Sequence, residues 1–125
     1  MIKLVCNDIR LVPVNRRLGN RVIKKGDRTF SIAYTTAEWK KCKKLLSEVF
    51  RYQYDEDEKS QINQKNITME IKVETYKDID AVLKIIFDVL EDIGLIENDR
   101  YINKIIVVKY PGVRGHPEKL QIKMY

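Results

Sequence analysis

Four residues in this 125-residue chain have types and spacing suited to chemistry: Asp78, Asp80, Lys84 and Asp88. They lie within Lys77-Asp-Ile-Asp-Ala-Val-Leu-Lys-Ile-Ile-Phe-Asp-Val-Leu90, which follows an alternating strand pattern and turns helical. Asp80, Lys84 and Asp88 recur every four residues, so they share one helix face. Asp78 precedes Asp80 by two residues, and if the chain is still extended there, both carboxylates point to one side. Two converging carboxylates repel unless a cation sits between them, and oxygen donors suit a hard ion, Mg²⁺ or Mn²⁺. Such an ion polarises a phosphate and lowers the pKa of a coordinated water, as phosphodiester hydrolysis requires. Lys84, one turn beyond Asp80, can meet the phosphate or offset charge in the transition state. A plain surface helix with an Asp-Lys-Asp ladder produces the same pattern, so the ladder alone leaves both readings open.

The elements that must hold these residues are legible around them. Residues 67–73 alternate Ile67, Met69, Ile71, Val73 with Thr68, Glu70, Lys72, a half-buried strand. The helix after it starts with Asp80 as N-cap, presents Val82, Leu83, Ile85, Ile86, Val89, Leu90 and Ile93 as its apolar stripe, and ends near Gly94. Residues 2–6 and 9–14 read as strand, and 102–110 and 119–124 as two more, joined by a Pro/Gly turn over 111–117. Between them come a basic loop at 15–21 and a hairpin of 21–24 and 28–33 turning at Lys25-Gly26-Asp27. Thr35-Thr-Ala-Glu38 predicts a capping box before a helix striped by Trp39, Cys42, Leu45, Leu46, Val49 and Phe50. Residues 54–66 are polar and acidic and read as a surface loop. The sum is a single α+β domain over 1–125, a mixed β-sheet packed with two main helices.

Composition narrows the classes. A hydrophobic fraction of 44% with 34% charged residues is globular, which excludes a disordered or collagen-like chain. No apolar run approaches a membrane span, and the first residues lack the apolar core of a secretory signal, so the expectation is cytoplasmic, without membrane. Cys6 and Cys42 are too few and too separated for a disulfide framework or a zinc site and read as buried free thiols. The net charge of +6 divides unevenly: residues 1–53 carry +9, residues 54–66 carry −2 and residues 67–125 carry −1. A basic front beside acids suits a metal-dependent enzyme acting on nucleic acid, although ordinary solvated charge explains it as well. No nucleophilic Ser or Cys, Gly-rich phosphate loop or organic cofactor motif is apparent, and His116 sits in a turn.

The run Asp78-Ile-Asp80-Ala-Val-Leu-Lys84-Ile-Ile-Phe-Asp88-Val-Leu90, followed by Gly94 and Asn98-Asp99, resembles the RusA family of Holliday junction resolvases. That family carries Asp-x-Asp-Asn-x-x-Lys-x-x-x-Asp-x-Leu and then an Asp-Asp pair beyond a Gly. Val107-Val-Lys109, Leu120-x-Ile122 and Pro13-Val-Asn15-Arg16-Arg17 are similar to further parts of its pattern. The resemblance is dense over 77–109, fainter over 1–30 and absent from 35–66. It implies that Asp78, Asp80 and Asp99 bind Mg²⁺ (Mn²⁺ as substitute), that Lys84 is the catalytic lysine, and that Lys77 is a basic residue beside the metal. Two positions depart from the family: Ala81 replaces the signature Asn, and Asn98 replaces the first acid of the pair.

The expectation is therefore a metal-dependent endonuclease that cuts four-way DNA junctions symmetrically, as a homodimer, because two-fold substrates need two matching sites. Asn15, Arg16, Arg17, Arg21, Lys24 and Lys25, with Lys77, would meet phosphates in a salt-sensitive way. The alternatives are a non-cleaving junction-binding protein of the same fold, inactive through Ala81 and Asn98, and a basic interaction domain with no nucleic-acid role.

Overall fold

A computed structural model describes the backbone of all 125 residues and the side chains of all except Phe30 and Ile32. In chain order the elements are β1 (Ile2–Ile9), β2 (Leu18–Lys25), β3 (Arg28–Thr35), α1 (Ala37–Arg51), α2 (Glu56–Ser60), β4 (Ile67–Thr75), α3 (Ile79–Asp92), β5 (Ile102–Pro111) and β6 (Glu118–Met124). Short 3-10 turns at Val14–Arg16 and Asp99–Tyr101 complete them. Four strands form a mixed sheet in the order β1-β6-β4-β5. β6 is antiparallel to both neighbours, whereas β4 and β5 run parallel, as the intervening α3 crossover requires. β2 and β3 form a separate two-stranded hairpin.

Alternation dictates the layers. On β4 every second residue, from Ile67 to Thr75, is fully buried. Register places Ile71 beside Ile122 and Ile122 beside Leu4, so the buried residues of three strands share one face. Against that face pack Val82, Ile85, Ile86, Val89 and Leu90 of α3 and Trp39, Cys42, Leu46 and Phe50 of α1, in one continuous core. The opposite face presents residues such as Glu70, Lys72, Gln121 and Lys123. The expected α+β fold, a mixed sheet with two main helices, is what forms.

Several local expectations are corrected. The first strand ends at Ile9 and does not resume over 9–14, since Pro13 has no N–H to donate and instead leads a 3-10 turn. Strand β2 starts at Leu18, inside the stretch expected to be loop, and its pairing with Thr35 delays the helix by one residue. Thr36, not Thr35, is therefore the N-cap of α1, and its hydroxyl accepts from Trp39 N (3.3 Å) while donating to the Arg16 carbonyl (2.7 Å). Leu45 and Val49 of the expected stripe stay exposed because the buried face of α1 is narrower. Within 54–66 a one-turn helix closes, with the reciprocal Asp55–Glu58 capping box at its start. Cys6 and Cys42 are free and buried, as expected.

Candidate functional site

The N-terminal end of α3 is assembled by one buried acid. Glu118, 3% exposed at the start of β6, accepts from the Thr75 hydroxyl (2.6 Å), from Leu11 N (3.1 Å) and from the Lys77 ammonium. Lys77 also donates to the Leu11 carbonyl, and its backbone N–H donates to Thr75 Oγ1 (3.0 Å). A carboxylate this buried needs a paired cation and filled lone pairs, and here it has both. The result ties the end of β4, the start of β6 and the Leu11 segment together. Gly112 completes the corner: its N–H donates to the Thr75 carbonyl (3.1 Å), and a Cβ there would lie 2.7 Å from Thr75 backbone. Lys77 is thus a structural strut whose ammonium points inward, where the sequence suggested a DNA contact.

This corner delivers the chain segment after Leu11 to α3. Pro13, Asn15 and Arg16 line one open pocket with Tyr76, Lys77, Asp78, Ala81 and Arg114, and Arg16 also borders the adjoining pocket beside Glu118 and His116. Residues some sixty positions apart in sequence thereby share one surface. Arg114 stands 5.8 Å from the Tyr76 ring centre in a cation–π contact.

Asp78, not Asp80, is the N-cap, with extended backbone and no side-chain capping bond. The helix begins at Ile79, so Asp80 is already in its first turn, and the extended run that would align both carboxylates is not present. Both side chains are exposed, and among the described residues neither has an ion-pair partner. Their negative charge is favoured by the positive end of the α3 dipole.

Farther along α3 the acids are engaged. Lys84 Nζ lies 2.9 Å from Asp88 rather than beside Asp80, and Arg17 reaches the same carboxylate at 3.9 Å. Arg17 also lies 5.9 Å from the Trp39 ring centre, so it braces α1 against α3. Asp99 is at the other end of the helix: its N–H donates to Glu91 Oε1 (2.9 Å). Glu91 stands about 16 Å along the helix axis from Asp80, at roughly 1.5 Å per residue. One chain therefore does not bring Asp78, Asp80 and Asp99 together, and among the described residues no three His, Cys, Asp or Glu side chains group as metal ligands.

The remaining basic residues sit on the hairpin. Cross-strand register puts Arg21, Lys25 and Arg28 on one face and Lys24 on the other, all exposed. A two-residue turn at Gly26-Asp27, with Gly26 at φ +64°, joins the strands. Tyr34 lies across Gly19 and fills the space its missing side chain leaves.

Two contributors escaped the sequence reading. Arg114 lies in a stretch whose Pro and Gly predict only a turn, and Glu118 lies at a strand start, where a lone acid directly before an apolar alternation is the available signal. Burial raises the Cys42 thiol pKa above its ordinary value, which disfavours the thiolate. Among the described residues no helix is long and apolar enough to cross a membrane. Compared with protein-family models and with curated protein sequences, the chain matches none of them.

Proposed function

We propose that the chain is a Mg²⁺-dependent endonuclease of four-way DNA junctions, acting as a homodimer. The observation that carries this reading is the convergence of Asn15, Arg16 and Arg114 on Asp78: cationic and amide donors border an exposed, unpaired carboxylate. Donors of this kind suit phosphate oxygens, and the carboxylate oxygens of Asp78 and Asp80 suit a hard cation. Bound there, Mg²⁺ would polarise the phosphate and acidify an attacking water. With Asp99 at the far end of α3, the reading requires Asp99 of a second copy to complete the ligand set. Lys84 would serve the phosphate by leaving Asp88, its i,i+4 partner at 2.9 Å. Arg16, Arg21, Lys24, Lys25 and Arg114 would bind backbone phosphates, giving affinity that falls steeply with salt. Lys77 and Arg17 hold the scaffold.

The test is cleavage of a synthetic four-way junction in Mg²⁺ by wild type and by Asp80→Asn. Wild type should release paired nicked duplexes, and the variant should lose about 100-fold in rate while its junction binding persists. Binding without cleavage by wild type, in Mg²⁺ or Mn²⁺, would establish instead a non-cleaving junction binder. That outcome has a structural basis in Ala81, which lines the pocket without a polar group. Equal, salt-labile affinity for junction and linear duplex would sink both.

A further inference from the structure

Beside the Glu118 corner lies a small hollow of about 170 Å³, bordered by Arg10, Arg16, Tyr76, Gly115 and His116. The acceptors on its wall are already filled. Glu118 takes the Lys77 ammonium, the Thr75 hydroxyl and the Leu11 N–H, the Leu11 carbonyl takes Lys77, and the Gly115 carbonyl takes Arg10 Nη2 (3.3 Å). The donors are not used up. A guanidinium carries five N–H groups, and the Gly115 carbonyl occupies one of those on Arg10. Arg16 is positioned through its backbone: its N–H donates to the Pro13 carbonyl (2.9 Å), and its carbonyl accepts from the Thr36 hydroxyl (2.7 Å). Among the described residues its guanidinium has no ion-pair partner. Gly115, at φ +88°, lets the 111–117 turn fold back, and the Arg10 bond holds it there with His116 on the wall of the hollow. Lys77 and Glu118 cancel, so two guanidiniums and an imidazole face one remaining acid, Glu38 in the first turn of α1.

We infer that this hollow binds one phosphate group, apart from the phosphate to be cut, through Arg10, Arg16 and His116. A wall of spare donors suits a ligand that only accepts, and charge-assisted bonds to phosphate oxygens are the strong kind. The three donors come from separate segments, at positions 10, 16 and 116, so they approach from different directions. A tetrahedral oxyanion accepts from several directions, whereas a planar carboxylate engages one guanidinium fork. All three residues are exposed, so the ligand enters from solvent. The hollow is smaller than the roughly 300 Å³ at which pockets enclose drug-sized molecules, so it takes the phosphate and leaves any nucleoside outside. Pro13, Arg16 and Tyr76 also line the pocket of Asp78, so a strand with one phosphate held here passes beside that carboxylate. Placing the phosphate on a DNA strand rests on the nuclease reading; the anion site itself does not, and it adds Arg10 and His116 to the residues which that reading uses.

The test is titration of the metal-free full chain with inorganic phosphate, followed by NMR of the arginine and histidine side chains. Phosphate should shift the Arg10, Arg16 and His116 signals along one saturating curve that chloride at equal ionic strength does not reproduce. Arg10→Gln, which keeps a donor for the Gly115 carbonyl, should weaken that binding about tenfold, the size of one hydrogen bond to a charged group. His116→Ala, on an exposed turn where folding is not at stake, should weaken it in the same direction. Two single-stranded oligonucleotides of one sequence, with and without a 5′-phosphate, separate the sources. A shift of His116 by the phosphorylated strand alone marks a terminal phosphate, a shift by both marks a backbone phosphate, and a shift by neither marks the free ion. Shifts that chloride reproduces, that never saturate, or that survive both substitutions overturn the inference. A wild type that binds phosphate and cuts no junction keeps the pocket and discards the nuclease reading; one that cuts junctions and binds no phosphate does the reverse.

Discussion

The two ends of α3 use their acids in opposite ways. Towards the C-terminal end the folded chain engages them: Asp88 holds Lys84 and Arg17, Asp92 holds Lys43, and Glu91 receives the N–H of Asp99. Towards the N-terminal end a single acid, Glu118, does all the tying, and Asp78 and Asp80 are left with their oxygens facing solvent. The difference separates acids that stabilise the fold from acids available to a ligand. It also explains why an identical four-residue ladder of Asp80, Lys84 and Asp88 behaves asymmetrically, with Lys84 turning towards Asp88.

Removing Glu118 should have the largest effect. Glu118→Ala leaves a part-buried ammonium, the Leu11 N–H and the Thr75 hydroxyl without their partner, at a cost of about 3–5 kcal/mol. Urea denaturation should show a much lower midpoint, with Glu118→Gln recovering part of the loss through its retained carbonyl oxygen. Asp88→Ala should cost less, about 0.5–1 kcal/mol, because the Arg17 and Lys84 side chains are 39% exposed and water partly screens both pairs. Asp78→Asn should change stability by under about 0.5 kcal/mol, since Asn is as good an N-cap as Asp. A stability loss for Asp78→Asn as large as that for Asp88→Ala would mean that the N-terminal acids are structural too, and the contrast between the ends would collapse.

How much of this could be read beforehand depends on how local the cause is. The period-two pattern of 67–73 and the 3.6-residue stripe from Val82 to Leu90 report burial directly, so β4 and α3 were legible almost to the residue. The N-caps of α1 and α3 fall one residue after and two residues before the expected positions, because Thr36 is committed to the Arg16 carbonyl and Lys77, next to Asp78, is fixed by Thr75 and Glu118. At the site, the candidate residues were legible by type, but their company was not. That Lys77 turns inward follows from Glu118, forty-one residues later, and nothing near Lys77 announces it. That Asp99 sits beside Glu91 follows from the length of α3, which carries the chain back along the sheet before β5 begins. Gln53, whose side chain accepts from Val5 N (2.6 Å) and donates to the Val5 carbonyl (2.8 Å) at the β1 edge, is equally invisible in one dimension.

The finest measure of the contrast is the titration of two tyrosines. Beyond the C-terminal end of α3, Tyr101 takes a hydrogen bond from Arg100 (2.7 Å) and from Lys65 (3.1 Å), and Lys65 in turn pairs with Glu97 (2.9 Å). The Arg100 hydrogen bond, and then that of Lys65, favour the phenolate and hold the Tyr101 pKa below its ordinary value. Tyr54 is displaced the other way, chiefly because burial disfavours its charged form. An ultraviolet titration should accordingly show an early phase from Tyr101 and a late one from Tyr54. Arg100→Ala should move only the early phase upward, because it removes the larger of the two hydrogen bonds to the phenol oxygen. An unmoved early phase would show that these side chains do not act on one another in solution, and the C-terminal end of α3 would then be no more committed than the N-terminal one.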